Sequence, residues 1–311
     1  MDALSLTLPS SIDGFPVILF GLECQTTAIV LTEMLRAGVD VRLVCLPGRR
    51  SIPLLQTTSR NNLPMARRQI ATNTVADIAR MSGLDLWRIG NLRSSEVQNA
   101  LDDVPADLIV VACYNRLVPG EMYSERLYGG LNIHPSLLPD KRGPDPLFWM
   151  FKVGDELAGT TIHRLTDEFD AGDILAQDSI PKPDGITERE LDAKLSLLGA
   201  RLLLETLHDL RSGNLQSHPQ RAEIASWAPH PSPSDFVIDR STPARLAYNF
   251  VRGLSGRGQP ILIDTEQGQV QATAAHGWRA MDDPPAELPE RAVEIKLADG
   301  WLVATLATDG A

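Results

Sequence analysis

Two polar side chains near the middle of the chain have types and a spacing suited to stabilising an oxyanion. Asn132 and His134 lie two positions apart in the segment LNIHPSLLPDKRG, residues 131–143. On a strand, both side chains point to the same face of the sheet. An amide and a protonated imidazole can then donate hydrogen bonds to one negatively charged oxygen. The alternative is a strand end whose polar side chains satisfy loop carbonyls.

An acidic turn supplies a carboxylate that could work with them. Asp170 lies in DEFDAGD, residues 167–173. A carboxylate can favour the protonated form of His134, and it can take a proton from a reacting amine. Taken alone, the segment also fits an ordinary solvated turn. His163 alternates within the preceding extended segment and is expected to pack or to face water.

Apolar runs that alternate with helical patterns predict a mostly parallel α/β sheet with flanking helices, a Rossmann-like architecture. Ligands of such sheets bind outside the carboxyl ends of the strands, where these polar residues lie. Extended segments are predicted at Phe15–Leu22, Val39–Leu46, Leu84–Ile89, Asp107–Cys113, Leu131–His134, Gly159–Leu165 and Asp173–Ile180. Helices are predicted from about Ala28 to Gly38, at Thr72–Met81 and Ser94–Leu101, and from Thr187, which forms a capping box with Glu190, to about Leu210.

The character of the sequence changes after residue 214. Residues 215–234 are rich in Pro, Ser and His and are predicted to be a linker between a first domain, 1–214, and a second domain, 235–311. The second domain is predicted to be small, mainly β and OB-like. Its predicted elements are a helix at Pro243–Val251 and strands at Pro260–Asp264, Gln269–Thr273, Ala292–Leu297 and Trp301–Leu306.

Composition and missing motifs argue against several classes of protein. The net charge of the 311 residues is −11, which argues against a protein that coats nucleic acid with its whole surface. Cys24, Cys45 and Cys113 are scattered and odd in number, which favours neither a disulfide framework nor a zinc site. The chain has no P-loop and no dinucleotide-binding glycine motif. It shows no signal peptide and no apolar run of the roughly 20 residues that a membrane span needs, so a cytoplasmic location is expected.

The motifs together resemble the formyltransferase family that uses 10-formyltetrahydrofolate, whose members act on methionyl-tRNA, glycinamide ribonucleotide or nucleotide sugars. The resemblance rests on N-x-H-x-S-L-L-P at 132–139, Arg142-Gly143, D-x-G at 170–172 and GTTIH at 159–163. It extends over roughly residues 15–210 and is weaker beyond them.

The resemblance implies the roles of the site residues. Asn132 and protonated His134 would stabilise the oxyanion that forms when an amine attacks the formyl carbon, and Asp170 would support the charge on His134 and help to remove the amine proton. The co-substrate would be 10-formyltetrahydrofolate, and no metal is required. The residues implied to bind it are Tyr114, Asn115, Arg116, Leu117, Val118, Ser136, Leu137, Leu138, Pro139 and Asp167.

The identity of the amine stays open between a tRNA and a small molecule. The two-domain plan is similar to the methionyl-tRNA branch of the family, and the stretch from Val41 to Ala76 has no acidic residue but six arginines, which suits a polyanion. These are Arg42, Arg49, Arg50, Arg60, Arg67 and Arg68. Acceptor contacts are predicted at Arg42, Arg49, Arg50 and Arg142. A flexible loop whose charges only solvate it is the alternative.

Two other features favour a small acceptor. From Pro233 onward the short second domain carries seven basic and eleven acidic residues, a net charge of −4, although a domain that grips tRNA should be basic. The stretch GPDPLFW, residues 143–149, is more similar to the sugar-modifying branch. An amino-sugar nucleotide, a modified amino acid and a hydrolase that releases formate are therefore kept as alternatives, as are a folate-binding protein without turnover and an RNA-binding module. The oligomeric state is left open.

Overall fold

The structure is a computed structural model that describes residues 14–57, 74–285 and 287–307. The described chain forms two compact units. The described residues of the first lie within Met1–Arg142, Gly159–Ser179 and Asp192–Trp227, and those of the second lie within Gly143–Ala158, Ile180–Leu191 and Ala228–Ala311. Among the described residues, no helix has both the length and the apolar composition for crossing a bilayer.

An eight-stranded sheet carries the chemistry-bearing residues. Its strands are β1 (Pro16–Gly21), β2 (Asp40–Pro47), β3 (Leu54–Thr57), β4 (Asp85–Ile89), β5 (Leu108–Ala112), β6 (Gly130–His134), β7 (Leu157–Arg164) and β8 (Ile174–Pro181). The order across the sheet is β3-β4-β2-β1-β5-β6-β7-β8. Neighbours from β4 to β6 are parallel, whereas β3 and β7 run antiparallel to β4 and β6.

The interior of this sheet is apolar because its central strands are covered on both faces. All five residues of β5 are buried, and so are five of the six residues of β1. The helices along this part of the chain are α1 (Gln25–Arg36), α2 (Val75–Met81), α3 (Ser95–Asp102), α4 (Pro146–Val153) and α5 (Glu188–Ser212). The predicted fold class, a mostly parallel sheet with helices followed by a mainly β region, is confirmed.

Helix termini follow the capping signals in the sequence. The predicted box at the start of α5 forms: the Thr187 N–H donates to Glu190 Oε2 at 2.9 Å, and the Glu190 N–H donates to Thr187 Oγ1 at 3.3 Å. Of the helix predicted at Thr72–Met81, the first two residues lie outside the described residues. The described helix begins at Val75, and Thr74 caps it by accepting from the Asp77 N–H.

The sequence prediction missed α4 and β3. Helix α4 begins with Pro146 in its first turn, is capped by Asp145, and ends at Gly154 with a φ of 81°. These are ordinary start and stop signals. The short apolar stretch between them concealed the helix. Strand β3 pairs with β4 at the edge of the sheet and is only four residues long.

The second unit has its own core and its own sheet, which is antiparallel except that β9 runs parallel to β10. Its strands are β9 (Val237–Ile238), β10 (Ile261–Thr265), β11 (Gly268–Ala280), β12 (Ala292–Lys296) and β13 (Gly300–Leu306), in the order β12-β13-β11-β10-β9, with helix α6 (Ala244–Leu254). A cavity of about 520 Å³ in this unit is lined by Glu188, His230, Pro231, Pro233, Phe236, Arg257 and Gln259. None of these residues was predicted to belong to a site.

Candidate active site

The register of three neighbouring strands places the predicted oxyanion donors. Val111 of β5 lies opposite Asn132 of β6, and Asn132 lies opposite His163 of β7. His134 lies opposite Thr161. Because directly opposed side chains share a face of the sheet, the register sets His163 beside Asn132 and His134.

Asp170 is carried by the turn between β7 and β8, and the backbone of this turn is unusual. Asp170 has a φ of 55°, in the left-handed region that non-glycine residues seldom occupy. Gly172 is required here, because a Cβ on it would lie 2.0 Å from the Arg164 carbonyl oxygen. The close contact keeps the turn against the end of β7.

Two of the predicted catalytic side chains converge on one carboxylate oxygen of the third, Asp170. Asp170 Oδ1 lies 3.2 Å from Asn132 Nδ2 and 3.5 Å from His134 Nδ1. His163 Nε2 is also 3.5 Å from it. The side chains of His134, His163 and Asp170 are 6, 2 and 10% exposed, so the cluster is almost entirely removed from water.

Backbone carbonyls determine which ring nitrogens carry protons. Because a carbonyl oxygen only accepts, His134 Nε2 donates to the Lys141 oxygen at 2.8 Å, and His163 Nδ1 donates to the Arg164 oxygen at 2.8 Å. Nε2 of a neutral His163 is then free to accept from Asn132 Nδ2, 2.9 Å away. The same amide nitrogen faces Asp170, so both neighbours support one orientation of the Asn132 amide.

Burial and a nearby carboxylate act on His134 in opposite directions. Loss of water around the ring lowers the pKa of His134, whereas Asp170 and the Lys141 carbonyl act to raise it and His163 acts to lower it further. Burial has the larger effect, and the pKa lies below its ordinary value of 6.5. Burial of the ring therefore acts against the charged form that the family resemblance implies, whereas Asp170 acts in its favour.

A small cavity of about 50 Å³ opens beside this cluster, and four of the predicted cofactor-binding residues line it. These are Tyr114, Arg116, Leu117 and Val118, next to Asn132, His163 and Asp170. The Tyr114 hydroxyl is buried and has no hydrogen-bond partner among the described residues. Burial raises the pKa of Tyr114, so the hydroxyl stays protonated and able to donate.

Arg116 lines the cavity, but its guanidinium is occupied by the protein. It donates to the carbonyl oxygens of Ile89 at 2.8 Å, Gly90 at 2.9 Å and Gly48 at 3.1 Å. The side chain therefore fixes the loops that follow β2 and β4. A ligand contact by this guanidinium would have to be made in addition to those bonds.

The other predicted cofactor-binding residues occupy two places. Ser136, Leu137, Leu138 and Pro139 form the loop after β6. This loop is held by Ser136 Oγ, which donates to the Asp140 oxygen at 2.7 Å, and by Thr161 Oγ1, which donates to the Ser136 oxygen at 2.6 Å. Asn115 and Asp167 are exposed and are not among the residues that line the cavity.

The predicted acceptor-binding arginines are not brought together. Arg42 lies near the amino end of β2 and pairs with Asp40, whereas the catalytic cluster lies toward the carboxyl ends of the strands. Arg49 and Arg50 are exposed in the loop after β2. Arg142 donates to Gln220. The remaining arginines of the insert, Arg60, Arg67 and Arg68, lie outside the described residues.

Two residues of the site were missed by sequence reasoning. His163 was expected to pack or to face water, yet it contacts both Asn132 and Asp170. Gln220 lies in the predicted linker, yet its amide donates to the carbonyl oxygens of Asp170 and Gly172. Only the strand register and the path of the chain after α5 reveal these contacts, and neither can be deduced from spacing.

Comparison with known proteins relates the chain to formyl transferases. A family model described as formyl transferase matches residues 48–207. A methionyl-tRNA formyltransferase of Synechococcus sp. (strain JA-3-3Ab) is 34% identical over 233 residues, which is 73% of this chain and 71% of that protein. One from Listeria monocytogenes (serovar 1/2a) is 33% identical over 193 residues, 62% of each chain.

A solved structure shares the fold over nearly the whole chain. It is that of WlaRD, a sugar 3N-formyl transferase in the presence of dTDP and 5-N-formyl-THF. The match has a TM-score of 0.65 and 13% identity, and it covers 95% of this chain and 98% of that one. At this identity the likeness concerns the fold.

Proposed function

Because the chain belongs to the formyl transferase family, we propose that it transfers a formyl group from 10-formyltetrahydrofolate to the amine of a methionyl-tRNA. Formyl transfer is supported by one observation in particular: Asn132 and His134 converge on the Asp170 carboxylate beside a cavity. The identity of the acceptor rests on the named relatives, which are about one-third identical to this chain.

The residues around the cavity suit a folate chemically. The buried Tyr114 hydroxyl has an unused hydrogen bond, and Phe169, which lines the same cavity, is 48% exposed. A hydrogen-bond donor with an aromatic side chain beside it suits a flat heteroaromatic ring, which can accept the hydrogen bond and stack on the aromatic side chain. Since the cavity is only about 50 Å³, binding of such a ring requires the residues that line it to move apart. The bound co-substrate supplies the activated formyl group.

Asp170 accepts the proton that the attacking amine loses. Its Oδ1 lies 3.5 Å from His134 Nδ1, the unprotonated nitrogen of the neutral ring. A proton taken by the carboxylate can therefore pass to His134 as negative charge develops on the formyl oxygen. The charged ring that the family resemblance implies is then formed as the amine attacks. When the tetrahedral intermediate collapses, the bond between the formyl carbon and N10 breaks, and the proton returns from His134 through Asp170 to N10 of the leaving tetrahydrofolate.

Asn132 donates to the developing oxyanion through Nδ2. This nitrogen lies 3.2 Å from Asp170 Oδ1, which is longer than the 2.7–2.9 Å of a strong charge-assisted hydrogen bond. As the reaction proceeds, Asn132 exchanges this long contact for a shorter hydrogen bond to the oxyanion. That hydrogen bond is strong only in the transition state, and an interaction of this kind accelerates the reaction. Loss of such a donor costs on the order of 10²–10³ in rate.

A small amine, above all an amino-sugar nucleotide, is the second candidate acceptor. It is favoured by the acidic second domain, with a net charge of −4 from residue 233 onward, and by the likeness of the whole fold to a sugar 3N-formyl transferase. A nucleotide sugar carries two phosphates, and Arg49 and Arg50 could form ion pairs with these as well as with the phosphates of a tRNA.

Competition between acceptors tests this proposal. Tetrahydrofolate release is measured with 10-formyltetrahydrofolate and either charged initiator methionyl-tRNA or a panel of amino-sugar nucleotides. The proposal predicts a kcat/KM for methionyl-tRNA at least 10²-fold above that for any sugar. A reversed order assigns the protein to the second candidate. Saturable folate binding with no turnover on any amine contradicts both.

A further inference from the structure

The side-chain amide of Gln220 uses its full hydrogen-bonding capacity on two segments of the site. Its Oε1 accepts from Arg142 Nε at 3.0 Å and from Arg142 Nη2 at 2.7 Å. Its Nε2 donates to the Asp170 oxygen at 2.8 Å and to the Gly172 oxygen at 2.7 Å. An amide has two acceptor lone pairs and two donor hydrogens, so this one is satisfied by four contacts.

The two segments that Gln220 joins are those that hold His134 and Asp170. Lys141, whose carbonyl oxygen accepts from His134 Nε2, is the residue next to Arg142. On the other side, Gln220 holds the carbonyls of both Asp170 and Gly172. A single side chain therefore lies between the loop that fixes the imidazole and the turn that carries the carboxylate.

Gln220 is itself held in place by backbone pairing. The His218 N–H donates to the Ile174 oxygen, and the Ile174 N–H donates to the His218 oxygen, both at 2.9 Å. Ser217 Oγ donates to Asp173 Oδ2 at 2.8 Å. Because these contacts fasten the chain just before Gln220 to the start of β8, the amide is a fixed point and not a mobile surface group.

The turn needs such support because of its backbone. Asp170 occupies the left-handed region at a φ of 55°, a conformation that persists in a non-glycine residue when the surroundings over-determine it. Hydrogen bonds to the carbonyls of Asp170 and Gly172 provide that constraint.

We propose that Gln220 is a positioning residue that sets the place of the Asp170 carboxylate relative to His134 and Asn132. It acts through its hydrogen bonds to the backbone of the turn and to Arg142. The inference rests on the proposed function for its kinetic consequences. Displacement of a catalytic group by about 1 Å can cost on the order of 10² in rate.

Steady-state kinetics of two variants test the proposal. Gln220→Ala removes all four bonds, and we expect kcat to fall by roughly 10–100-fold while the KM for 10-formyltetrahydrofolate changes by less than about threefold. Gln220→Glu keeps an acceptor for Arg142 but places a carboxylate against two carbonyl oxygens, so we expect a similar loss. Gln216→Ala, an exposed glutamine in the same segment, is the matched control and should retain wild-type kinetics.

The outcomes separate positioning from other roles. Wild-type kcat in Gln220→Ala overturns the proposal, and so does wild-type activity in Gln220→Glu, since Gln220 would then serve only to hold Arg142. A rise in KM with unchanged kcat would make Gln220 a ligand-binding residue and equally contradict it. Thermal unfolding of each variant checks that the fold is intact.

A measurement independent of turnover keeps the test valid if the proposed function is wrong. The titratable groups that face His134 are Asp170 and His163. If loss of Gln220 moves the Asp170 carboxylate away, the pKa of His134 falls further, because Asp170 is the charge that raises it. NMR titration of histidine-labelled wild type and Gln220→Ala measures this, and an unchanged titration of His134 refutes the positioning role. Absence of formyl transfer by the wild type refutes the proposed function alone.

Discussion

Replacement of Asp170 by Asn probes the electrostatic centre of the site. The change keeps the size of the side chain and removes the negative charge that lies 3.5 Å from His134 Nδ1. At an effective dielectric constant of 20, opposite unit charges at this separation attract by about 5 kcal/mol once the ring is protonated. The carboxamide retains an oxygen that can accept from Asn132, so part of the interaction survives. We expect kcat to fall by about 10²–10³-fold, which corresponds to about 2.7–4 kcal/mol.

The pH profile gives a second readout of the same variant. Asp170 raises the pKa of His134, and burial lowers it. Removal of the carboxylate removes the larger of the two influences that raise the pKa and leaves only the Lys141 carbonyl to oppose burial. The part of the profile that reflects protonation of His134 should therefore move to lower pH. The assay is tetrahydrofolate release across pH 5 to 9, with the exposed Asp103→Asn variant as control. An unaltered kcat with an unaltered profile would refute the coupling between Asp170 and His134.

Three further predictions concern binding, acceptor contacts and stability. His134→Ala should abolish transfer and leave folate affinity, measured by titration calorimetry, within about threefold, since the ring is not among the residues lining the cavity; retained turnover would refute the role of His134. Arg49→Ala with Arg50→Ala should raise the KM for a polyanionic acceptor by about tenfold and reduce the salt dependence of binding, whereas an unchanged KM leaves these arginines as solvated surface charges. Denaturant unfolding should show stability decreasing as the pH falls below 6.5, because the unfolded chain then binds a proton that buried His134 resists; His134→Gln should flatten that slope, and an equal slope in both proteins would contradict this assignment.

Local signals in the sequence were sufficient to find much of the site. The spacing of Asn132 and His134 predicted a shared face on a strand, and the two residues do lie on β6 with His134 buried. The prediction of a turn at Asp170 between two extended segments also agrees with the structure, since β7 and β8 flank it. These features depend on residues that are close together in the chain. Over such short distances, the alternation of side chains along a strand and the residue preferences of turns are sufficient for a prediction.

Features that depend on distant contacts could not be predicted. The position of His163 beside Asn132 follows from the antiparallel register of β6 and β7, which no spacing along the chain encodes. The place of Gln220 depends on where the chain goes after α5, and its Pro-rich surroundings resemble a linker. The balance of influences on His134 could not be predicted for a related reason: burial lowers the pKa of the ring more than Asp170 raises it, and a motif does not reveal burial.

The central claim is that Asn132, His134 and Asp170 transfer a formyl group from folate to an amine. It is tested most directly with 10-formyltetrahydrofolate labelled in the formyl carbon. The labelled folate is incubated with methionyl-tRNA and, in parallel, with amino-sugar nucleotides, using either wild type or the Asn132→Ala, His134→Ala, Asp170→Asn triple variant. We predict that the wild type moves the label onto the amine of an acceptor and that the triple variant binds folate without moving it. The claim would be contradicted if the wild type left the label on folate or released it as free formate with every acceptor, or if the triple variant moved it to an amine at an undiminished rate.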